Sequence, residues 1–398
     1  MSSNGWETFK VGEIGKVITG KTPPTQNPNN FGDKYPFITP RDMLGQKRIY
    51  KTERYLSEEG KNTVKNCLLP AKAVCVSCIG SDMGKVVMTT KDSVTNQQLN
   101  SVICEDSFDP DFVYYGLVNI SNELKNVGHH STAVPILNKN DFSNFEILAP
   151  PFPTQRRIAD ILSALDDKIE LNRQTNATLE TMAQAIFTEW FVDFNFPGAT
   201  GEMVKSELGL IPKGWRVLPL DEIADFLNGL ALQKYPPVND AEYLPVIKIR
   251  EMRNGITSST DKASRNIPDK YIVRDGDLLF SWSGSLEVKF WVGGEGALNQ
   301  HLFKVTSKDY PLWFCYFWLL YHLEEFRKIA EDKTTTMGHI QRGHLSVALC
   351  LVPDSLDRMD RIINSIIEKI ISNEMESSTL SNLRNDLLPK LISGEIEV

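Results

Sequence analysis

The chain has 398 residues, of which 41% are hydrophobic and 24% charged, and its formal net charge is −8. These values are typical of globular proteins, they exclude a disordered or fibrous chain, and the length allows two or more domains. The longest apolar run, residues 310–323, is too short to span a bilayer and predicts a buried helix. The first ten residues lack the apolar core of a signal peptide, and the six cysteines lack the spacing of a disulfide framework. We therefore expect a cytoplasmic protein that does not enter the membrane.

The first candidate motif is GEIGKVITGKTPPT, residues 12–25, which contains the spacing G-x-x-x-x-G-K-T between Gly15 and Thr22. Phosphate-binding loops of this pattern need a helix that opens at the Lys-Thr pair. Here two consecutive prolines follow Thr22, and a proline moves the residue before it out of the helical region. We expect no nucleotide site, and a strand that ends in a turn at Gly20.

The chain contains an internal repeat. The string GWETFKVGEI, from Gly5, recurs as GWRVLPLDEI, from Gly214, at an offset of 209. Three later strings recur at offsets of 203 to 209: YPFITPRDM as LPVIKIREM, AKAVCVSCIGS as DGDLLFSWSGS, and TNQQL as LNQHL. Short β-like runs between Gly, Pro and Asn turns predict an α+β domain in each copy, and a long segment without glycine follows each domain.

The second copy also tests two short motifs. The counterpart of GKVITGKT is ADFLNGLA, which has no lysine, so the phosphate-loop spacing is accidental. Cys75 and Cys78 form a C-x-x-C pair, but their counterparts are Leu279 and Trp282, and no second cysteine pair completes a zinc site. The HIQRGH string that starts at His339 has no nearby acidic or cysteine partner. We expect no metal and no cofactor.

The segments after each domain have heptad-like apolar spacing, and each carries one Asn at the same step. The predicted seam residues are Ile158, Leu165, Asn172, Leu179 and Ile186 in the first copy, and Met359, Ile366, Asn373, Leu380 and Leu387 in the second. A single Asn in such a seam can fix register and partner choice, so we expect the two helices to pack on each other rather than separately on other cores. About 36 residues at ~1.5 Å per residue make rods of roughly 54 Å, and antiparallel packing would place the globular parts at opposite ends.

The charge is unevenly distributed along the chain. Residues 1–150 carry 16 basic and 16 acidic side chains, and residues 209–353 carry 17 of each. The net negative charge therefore lies in the helices and the linker. Basic residues are in excess at equivalent places, seven against four acidic in residues 41–65 and seven against three in residues 248–274. Such clusters are often ordinary solvated surface, but their recurrence favours a surface that contacts phosphate on each copy.

Four strings resemble the specificity subunits of type I restriction–modification enzymes: SELGLIPKGWRVLPLDEIADFLNG, GDLLFS with a glycine three residues later, PPFPTQRRIADILSALDDKIELN and LRNDLLPKLISGEI. They occur in family order across essentially the whole chain. In the first copy AVCVSCIGSDMG replaces the more usual GDILFS pattern. We find no motif of a methyltransferase, nuclease, hydrolase or dinucleotide enzyme.

The resemblance implies a non-catalytic subunit with two target-recognition domains, residues 1–153 and 209–353. They would be joined by spacer helices at 154–193 and 354–398 and by a linker at 194–208. Each domain would read one half of a bipartite double-stranded DNA site, and the helices would dock two modification methyltransferase subunits. ATP-dependent restriction subunits would join through the complex. Rods longer than one DNA turn of about 34 Å agree with an unread spacer.

Candidate DNA contacts follow from the repeat and the polar loops. Arg41 and Arg250 are matched arginines suited to guanine or phosphate. The other candidates are Lys47, Arg48, Ser81, Lys85, His129, His130, Ser131, Thr132, Arg253, Ser285, Lys333, Thr335, Thr336, His339 and Arg342. Two alternatives stay open at this point: a specificity factor of another methylation-based defence system, and a coiled-coil scaffold that binds only protein.

Overall fold

The computed structural model describes residues 5–127, 136–239, 242–331 and 338–398. The chain divides into two compact units. The first unit comprises Met1–Glu170 and Thr379–Val398, and the second comprises Leu171–Ser378. Each unit therefore contains part of both long helices.

The first unit is an α+β assembly. Its described strands are β1 Glu7–Lys10, β2 Gly15–Thr19, β3 Phe31–Gly32, β4 Tyr35–Ile38, β5 Arg48–Ile49, β6 Arg54–Leu56, β7 Leu68–Leu69, β8 Val74–Ser77, β9 Val86–Thr89, β10 Ser93–Thr95, β11 Leu99–Cys104 and β12 Glu146–Ala149. Its described helices are α1 Val11–Ile14, α2 Glu58–Thr63, α3 Pro110–Asn119, α4 Ser121–Val127, α5 Lys139–Ser143 and the first half of α6 Phe152–Phe187.

Two five-stranded sheets form the first unit, with strand orders β2-β11-β8-β9-β5 and β3-β6-β4-β10-β7. A separate pair, β1 and β12, joins the two ends of the domain. Apolar residues of α3, such as Phe112 and Leu117, share a buried cluster with Val74, Val76 and Val102 of the first sheet. Helix α3 starts on the cap that Asp109 provides by accepting a 3.0 Å hydrogen bond from the Phe112 N–H.

The second unit repeats this plan. Its described strands are β13 Met203–Ser206, β14 Gly209–Pro212, β15 Arg216–Pro219, β16 Asp225–Asn228, β17 Tyr243–Ile247, β18 Lys262–Ser264, β19 Ile272–Val273, β20 Leu278–Ser281, β21 Val288–Phe290, β22 Gly296–Leu298, β23 Leu302–Thr306 and β24 Leu349–Val352. Its described helices are the second half of α6, α7 Leu220–Ile223, α8 Ile249–Asn254, α9 Leu312–Glu331, α10 Arg342–Val347 and most of α11 Asp357–Ile392.

The sheets of the second unit have the orders β16-β23-β20-β21 and β18-β17-β22-β19, which repeat four of the five strands of each sheet in the first unit; the outer strands β5 and β3 have no counterpart among the described residues. One parallel pairing recurs at the centre of the repeated sheet, as Phe37 with Val94 and as Val246 with Ala297. The predicted α+β class and internal repeat are confirmed. The long apolar run is the buried helix α9, as expected.

Gly20 directly follows β2, and Gly229 directly follows β16. The contacts at these positions explain why both copies have a glycine there. The N–H groups of the two glycines donate to the carbonyls of Leu99 and Leu302 at 3.0 and 3.1 Å. A Cβ at Gly20 would lie 2.1 Å from the Asn96 carbonyl oxygen, and a Cβ at Gly229 would lie 2.3 Å from that of Asn299. The glycine therefore permits a close backbone crossing. Residues 15–19 form a strand and residues 20–27 are not helical, so the local structure is not that of a phosphate-binding loop.

Helices α6 and α11 pack antiparallel within each unit. In the second unit Asn172 and Asn373, the two predicted seam asparagines, are both buried. The Asn172 amide donates to the Asn373 carbonyl at 3.3 Å and to Ser377 Oγ at 3.2 Å, while Asn373 donates to Asn176 Oδ1 at 2.8 Å. Ser377 and Asn176 occupy equivalent repeat positions, so the two asparagines make a near-symmetrical pair of contacts.

The remaining seam residues divide between the two units. Ile158 is buried with Leu388 and Leu391 in the first unit, and Leu387 packs against the same cluster. Met359 is buried in the second unit, where Leu179, Ile186 and Ile366 pack around its main core. Leu165 and Leu380 are partly buried. The heptad pattern thus corresponds to the inner face of the helix pair. A π-helical turn, Thr188–Val192, ends α6 and buries Trp190 and Phe191.

Cys75 lies in β8 and Cys78 is the residue directly after β8, and their side chains face opposite sides of the sheet. Cys75 belongs to one buried cluster and Cys78 to another. Burial raises the pKa of the Cys75 thiol to about 12 and that of Cys78 to about 11. The two thiols cannot bind one metal ion together. No cluster of His, Cys, Asp and Glu suited to a metal ion, and no helix able to cross a membrane, occurs in the described residues.

Candidate nucleic-acid interface

At one end of the repeated sheet, next to the C-termini of β8 and β20, the backbone has the same arrangement in both units. We call this end of the strands the sheet edge. In the first unit Ile79, just after β8, pairs with Ile136, and the Leu137 N–H donates to the Cys78 carbonyl at 2.8 Å. In the second unit Ser283, just after β20, pairs with His339. The loop after the strand is therefore held against the segment that follows the polar loop in each copy. The turn before β11 or β23 lies beside the end of β8 or β20, since the Cys78 N–H donates to the Gln98 carbonyl at 2.8 Å and the Trp282 N–H to the His301 carbonyl at 3.4 Å.

In the second unit this edge carries a cluster of aromatic and polar side chains around Trp282. The indole N–H donates to Asn228 Oδ1 at 2.9 Å, and the ring lies 5.8 Å from the His301 ring and 6.2 Å from the His339 ring. Ser283 Oγ lies 3.0 Å from His301 Nδ1. All five side chains are buried or partly buried except Asn228, which is exposed. The His301 and His339 rings are inclined to the indole by 40° and 79°, so the three rings do not form a common plane. Amide and imidazole groups in such a cluster can form hydrogen bonds with base edges.

In the first unit different side chains occupy the equivalent places. Cys78 and Ile79 replace Trp282 and Ser283, and Gln98 replaces His301. Thr22 Oγ donates to Gln97 Oε1 at 2.7 Å, and Asn96 Nδ2 donates to Gln98 Oε1 at 2.9 Å. The Gln97 side chain is exposed at this turn. The two units therefore share one frame and present different hydrogen-bonding groups on it.

Several predicted contact residues come together in the second unit. Arg253 of α8 forms an ion pair with Glu287, which lies in the same β20–β21 loop as Ser285. The Gly284 N–H donates to the Gly338 carbonyl at 2.8 Å, which places this loop beside His339. Arg342, at the start of α10, donates to the Phe226 carbonyl at 2.8 Å. Arg253, Ser285, His339 and Arg342 thus belong to one neighbourhood.

The other described candidates lie on exposed turns or short helices. Arg41 is exposed in a 3-10 turn, Pro40–Asp42. Ser81 is exposed in the 3-10 turn after β8, where the Lys85 ammonium lies 2.7 Å from an oxygen of Asp82. Arg250 has an exposed side chain that contacts the buried carboxylate of Glu251 at 2.7 Å.

Lys47 and Arg48 depart from the expectation of DNA contacts. The Lys47 side chain is only 3% exposed, and its ammonium lies 2.6 Å from Asp111 Oδ1 and 2.7 Å from Ser163 Oγ. Burial lowers the pKa of Lys47, and Asp111 opposes this effect. Arg48 forms ion pairs with Asp111 and Asp167. Both cations bind groups of α3 and α6, so they stabilise the contact between the domain and the long helix.

Seven predicted contacts fall outside the described residues: His129, His130, Ser131, Thr132, Lys333, Thr335 and Thr336.

Sequence reasoning missed the residues at the shared turn and at the end of β20. The repeat identifies Trp282 only as the counterpart of Cys78. Gln97 and Gln300 lie at the same step of the repeated Asn-Gln-x-Leu string. Polar residues retained between two strands in both copies were the available signal.

The comparisons with known proteins cover nearly the whole chain. A family model described as the type I restriction modification DNA specificity domain matches residues 3–181 and 212–379. The chain is 28% identical to the specificity subunit of the type I restriction enzyme MjaIX from Methanocaldococcus jannaschii, over 99% of this chain and 94% of that one. It is 38% identical to the HindI specificity subunit from Haemophilus influenzae, over 43% of this chain and 39% of that one.

The fold is similar to a crystal structure of the S subunit of a type I restriction–modification system from M. genitalium. The TM-score is 0.58 and the identity 15%, with coverage of 98% of this chain and 97% of that chain. At this identity the likeness concerns the fold alone.

Proposed function

The chain belongs to the type I restriction–modification DNA specificity family, and on that premise we propose that each of its two units reads one half of a bipartite double-stranded DNA site. As a member of this family it is a non-catalytic specificity subunit of a restriction–modification complex. The proposal concerns how the two copies divide the recognition and which residues carry it.

One observation supports this division most directly: the repeated sheet edge keeps its backbone frame and changes its side chains. A constant frame would present each unit to DNA in the same way, while different side chains would select different bases. Gln97 in the first unit and Gln300 in the second occupy the same turn, and a glutamine amide suits the paired acceptor and donor of adenine. Gln98 and His301 would then distinguish the two half-sites.

The exposed cations would contribute contacts to the phosphate backbone. Arg41 and Lys85 in the first unit, and Arg250, Arg253 and Arg342 in the second, are the remaining basic candidates. Ser81, Ser285 and His339 would add polar contacts near the loops. Each phosphate contact releases counterions. Removal of one cation should therefore lower the magnitude of the slope of the logarithm of the binding constant against the logarithm of the salt concentration by about one.

The paired helices would act as the spacer between the two target-recognition domains. They would also form the docking surface for two modification methyltransferase subunits. Their net negative charge supports contact with protein rather than with phosphate. Restriction subunits would join through the assembled complex, and we place the complex in the cytoplasm.

The test uses the chain in complex with its modification subunits. Gln300→Ala and His301→Ala should relax sequence preference in one half-site only, and the matched changes Gln97→Ala and Gln98→Ala should relax it in the other. Loss of one specific base contact costs about 1–3 kcal/mol, so the preference should fall roughly 5- to 150-fold. Methylation of substrates with every single-base change in each half measures this preference. A variant of one unit that alters both halves equally would contradict the proposal.

A further inference from the structure

A buried polar cluster fills the space beside α3 in the first unit, where α6 and α11 pass it. Arg384 Nη1 donates to Asp166 Oδ1 at 2.6 Å, and the Tyr115 hydroxyl donates to the other Asp166 oxygen at 2.6 Å. Arg384 also donates to Ser381 Oγ at 3.3 Å. The Lys47 ammonium lies 3.3 Å from the Tyr115 hydroxyl and completes the cluster.

The second unit lacks the charged members at the repeat-related positions. At an offset of 201, Tyr115 corresponds to Tyr316, Asp166 to Ile367, and Arg384 to Ala183. The tyrosine is therefore kept, and the ion pair between Asp166 and Arg384 is replaced by Ile367 and Ala183. A groove of about 730 Å³ is present here, and its apolar wall consists of Ala183, Phe290, Phe317, Leu320, Ile367 and Ile370.

Acidic groups stand at the margin of this groove. Glu180 and Glu189 line it, and Glu374 lies near Glu180 and Tyr316. Burial raises the pKa of Glu374; Lys289 opposes this effect, and the negative charge of Glu180 adds to it. Glu180 takes the place of Ser381, the residue that contacts Arg384 in the first unit. The margin therefore provides carboxylates where the first unit holds its own arginine.

We infer that this groove, bounded by α6, β21, α9 and α11 in the second unit, receives a helical segment of one modification subunit that presents apolar side chains and an arginine or lysine. This inference rests on the proposed function and adds the chemistry of one docking site. The apolar wall would bury the apolar face of the segment, and the cation would approach Glu180 and Glu374 as Arg384 approaches Asp166.

The first unit, whose equivalent space is filled by Arg384 and Lys47, would bind its modification subunit without such an insertion. The acidic margin opposes nucleic acid as the occupant, because phosphate would meet carboxylates. The two docking sites would therefore differ in chemistry although the backbone around them is repeated.

The test fills the groove and compares the result with a matched change in the first unit. Thr181 lines the groove and is exposed, and its repeat counterpart Asn382 is also exposed. Native mass spectrometry of purified chain with purified modification subunit, across a concentration series, counts the bound copies. Thr181→Trp should weaken one of the two binding steps at least tenfold and leave the other unchanged, whereas Asn382→Trp should leave both unchanged.

A second variant avoids dependence on the folding of a bulky substitution. Glu180→Arg should weaken the same binding step, and Ser381→Arg should not. If Thr181→Trp and Glu180→Arg both bind two modification subunits as the unchanged chain does, the inference is overturned while the proposed function stands. If the unchanged chain binds no modification subunit, the proposed function fails and the inference fails with it.

Discussion

The ion pair between Asp166 and Arg384 offers a quantitative test of how the first unit is held to the second long helix. The side chains are 7% and 23% exposed, and the two residues are 218 positions apart in the chain. Arg384→Ala would leave the buried Asp166 carboxylate without its cation. Removing one partner of a buried pair costs about 3–5 kcal/mol. The Tyr115 hydroxyl remains as a donor to Asp166, so we expect a loss near the lower end, about 3 kcal/mol.

The internal repeat supplies the matched control. The second unit has Ala183 and Ile367 in place of this pair, so the double variant Arg384→Ala with Asp166→Ile reproduces its residues. Because the uncompensated charge is then gone, the double variant should recover at least half of the lost free energy of unfolding. Asp166→Ile alone should cost less than Arg384→Ala, since Arg384 keeps contacts with Ser381 and Asn385 and partial access to water.

The assay must follow the first unit separately. Six of the seven tryptophans lie in the second unit, so tryptophan fluorescence reports mainly on that unit. Hydrogen exchange of peptides from α3 and from the first half of α6, measured across a urea series, reports on the first unit. A loss of about 3 kcal/mol in a unit of this size also corresponds to a decrease in Tm of ~6–12 °C. A loss below about 1 kcal/mol for Arg384→Ala, or a double variant as unstable as the sum of the singles, would refute the reasoning.

Three further predictions concern the repeat and the rejected motifs. Gly20→Ala and Gly229→Ala should each destabilise their own unit by more than about 2 kcal/mol, because the new Cβ would meet a backbone carbonyl; urea unfolding with hydrogen exchange checks this, and a neutral alanine would contradict the close crossing. Cys75 and Cys78 should react with iodoacetamide at pH 8 far more slowly than in urea, since burial raises the pKa of both thiols and leaves little thiolate; intact-mass analysis over time is the measure, and equal rates would contradict it. Lys21→Ala should leave ATP binding to the isolated chain unchanged at background level in equilibrium dialysis.

The architecture could be predicted well from the sequence because the chain contains two copies that can be compared with each other. Two copies at nearly constant offset identify shared strands, and the matched pair of Asn172 and Asn373 indicated which helix faces meet. Each asparagine also donates to a residue that lies four positions after the other asparagine: Asn172 donates to Ser377, and Asn373 donates to Asn176. Periodicity specifies a helix face well, and it gives little information on single polar partners.

The candidate site was predicted less well, because a local excess of basic residues does not reveal their partners. Lys47 and Arg48 belong to such an excess, yet their carboxylates come from Asp111 and Asp167, 63 or more positions later. Long-range ion pairs of this kind have no signature in a single sequence. The cluster around Trp282 was not predicted for a different reason: a buried strand and an aromatic cluster at the end of a strand use the same residue types.

The first unit has the ion pair between Asp166 and Arg384, and the second unit has Ile367 and Ala183 at the equivalent positions. This difference has a consequence for shortened forms of the protein. A fragment that ends after α6 carries Asp166 and Ala183 but not Arg384. If two such fragments joined as a homodimer through their own copies of α6, each Asp166 would face an alanine where the intact chain supplies a guanidinium. Self-association of the amino-terminal half would therefore bury two uncompensated carboxylates, and the intact polypeptide is favoured over a dimer of its first half.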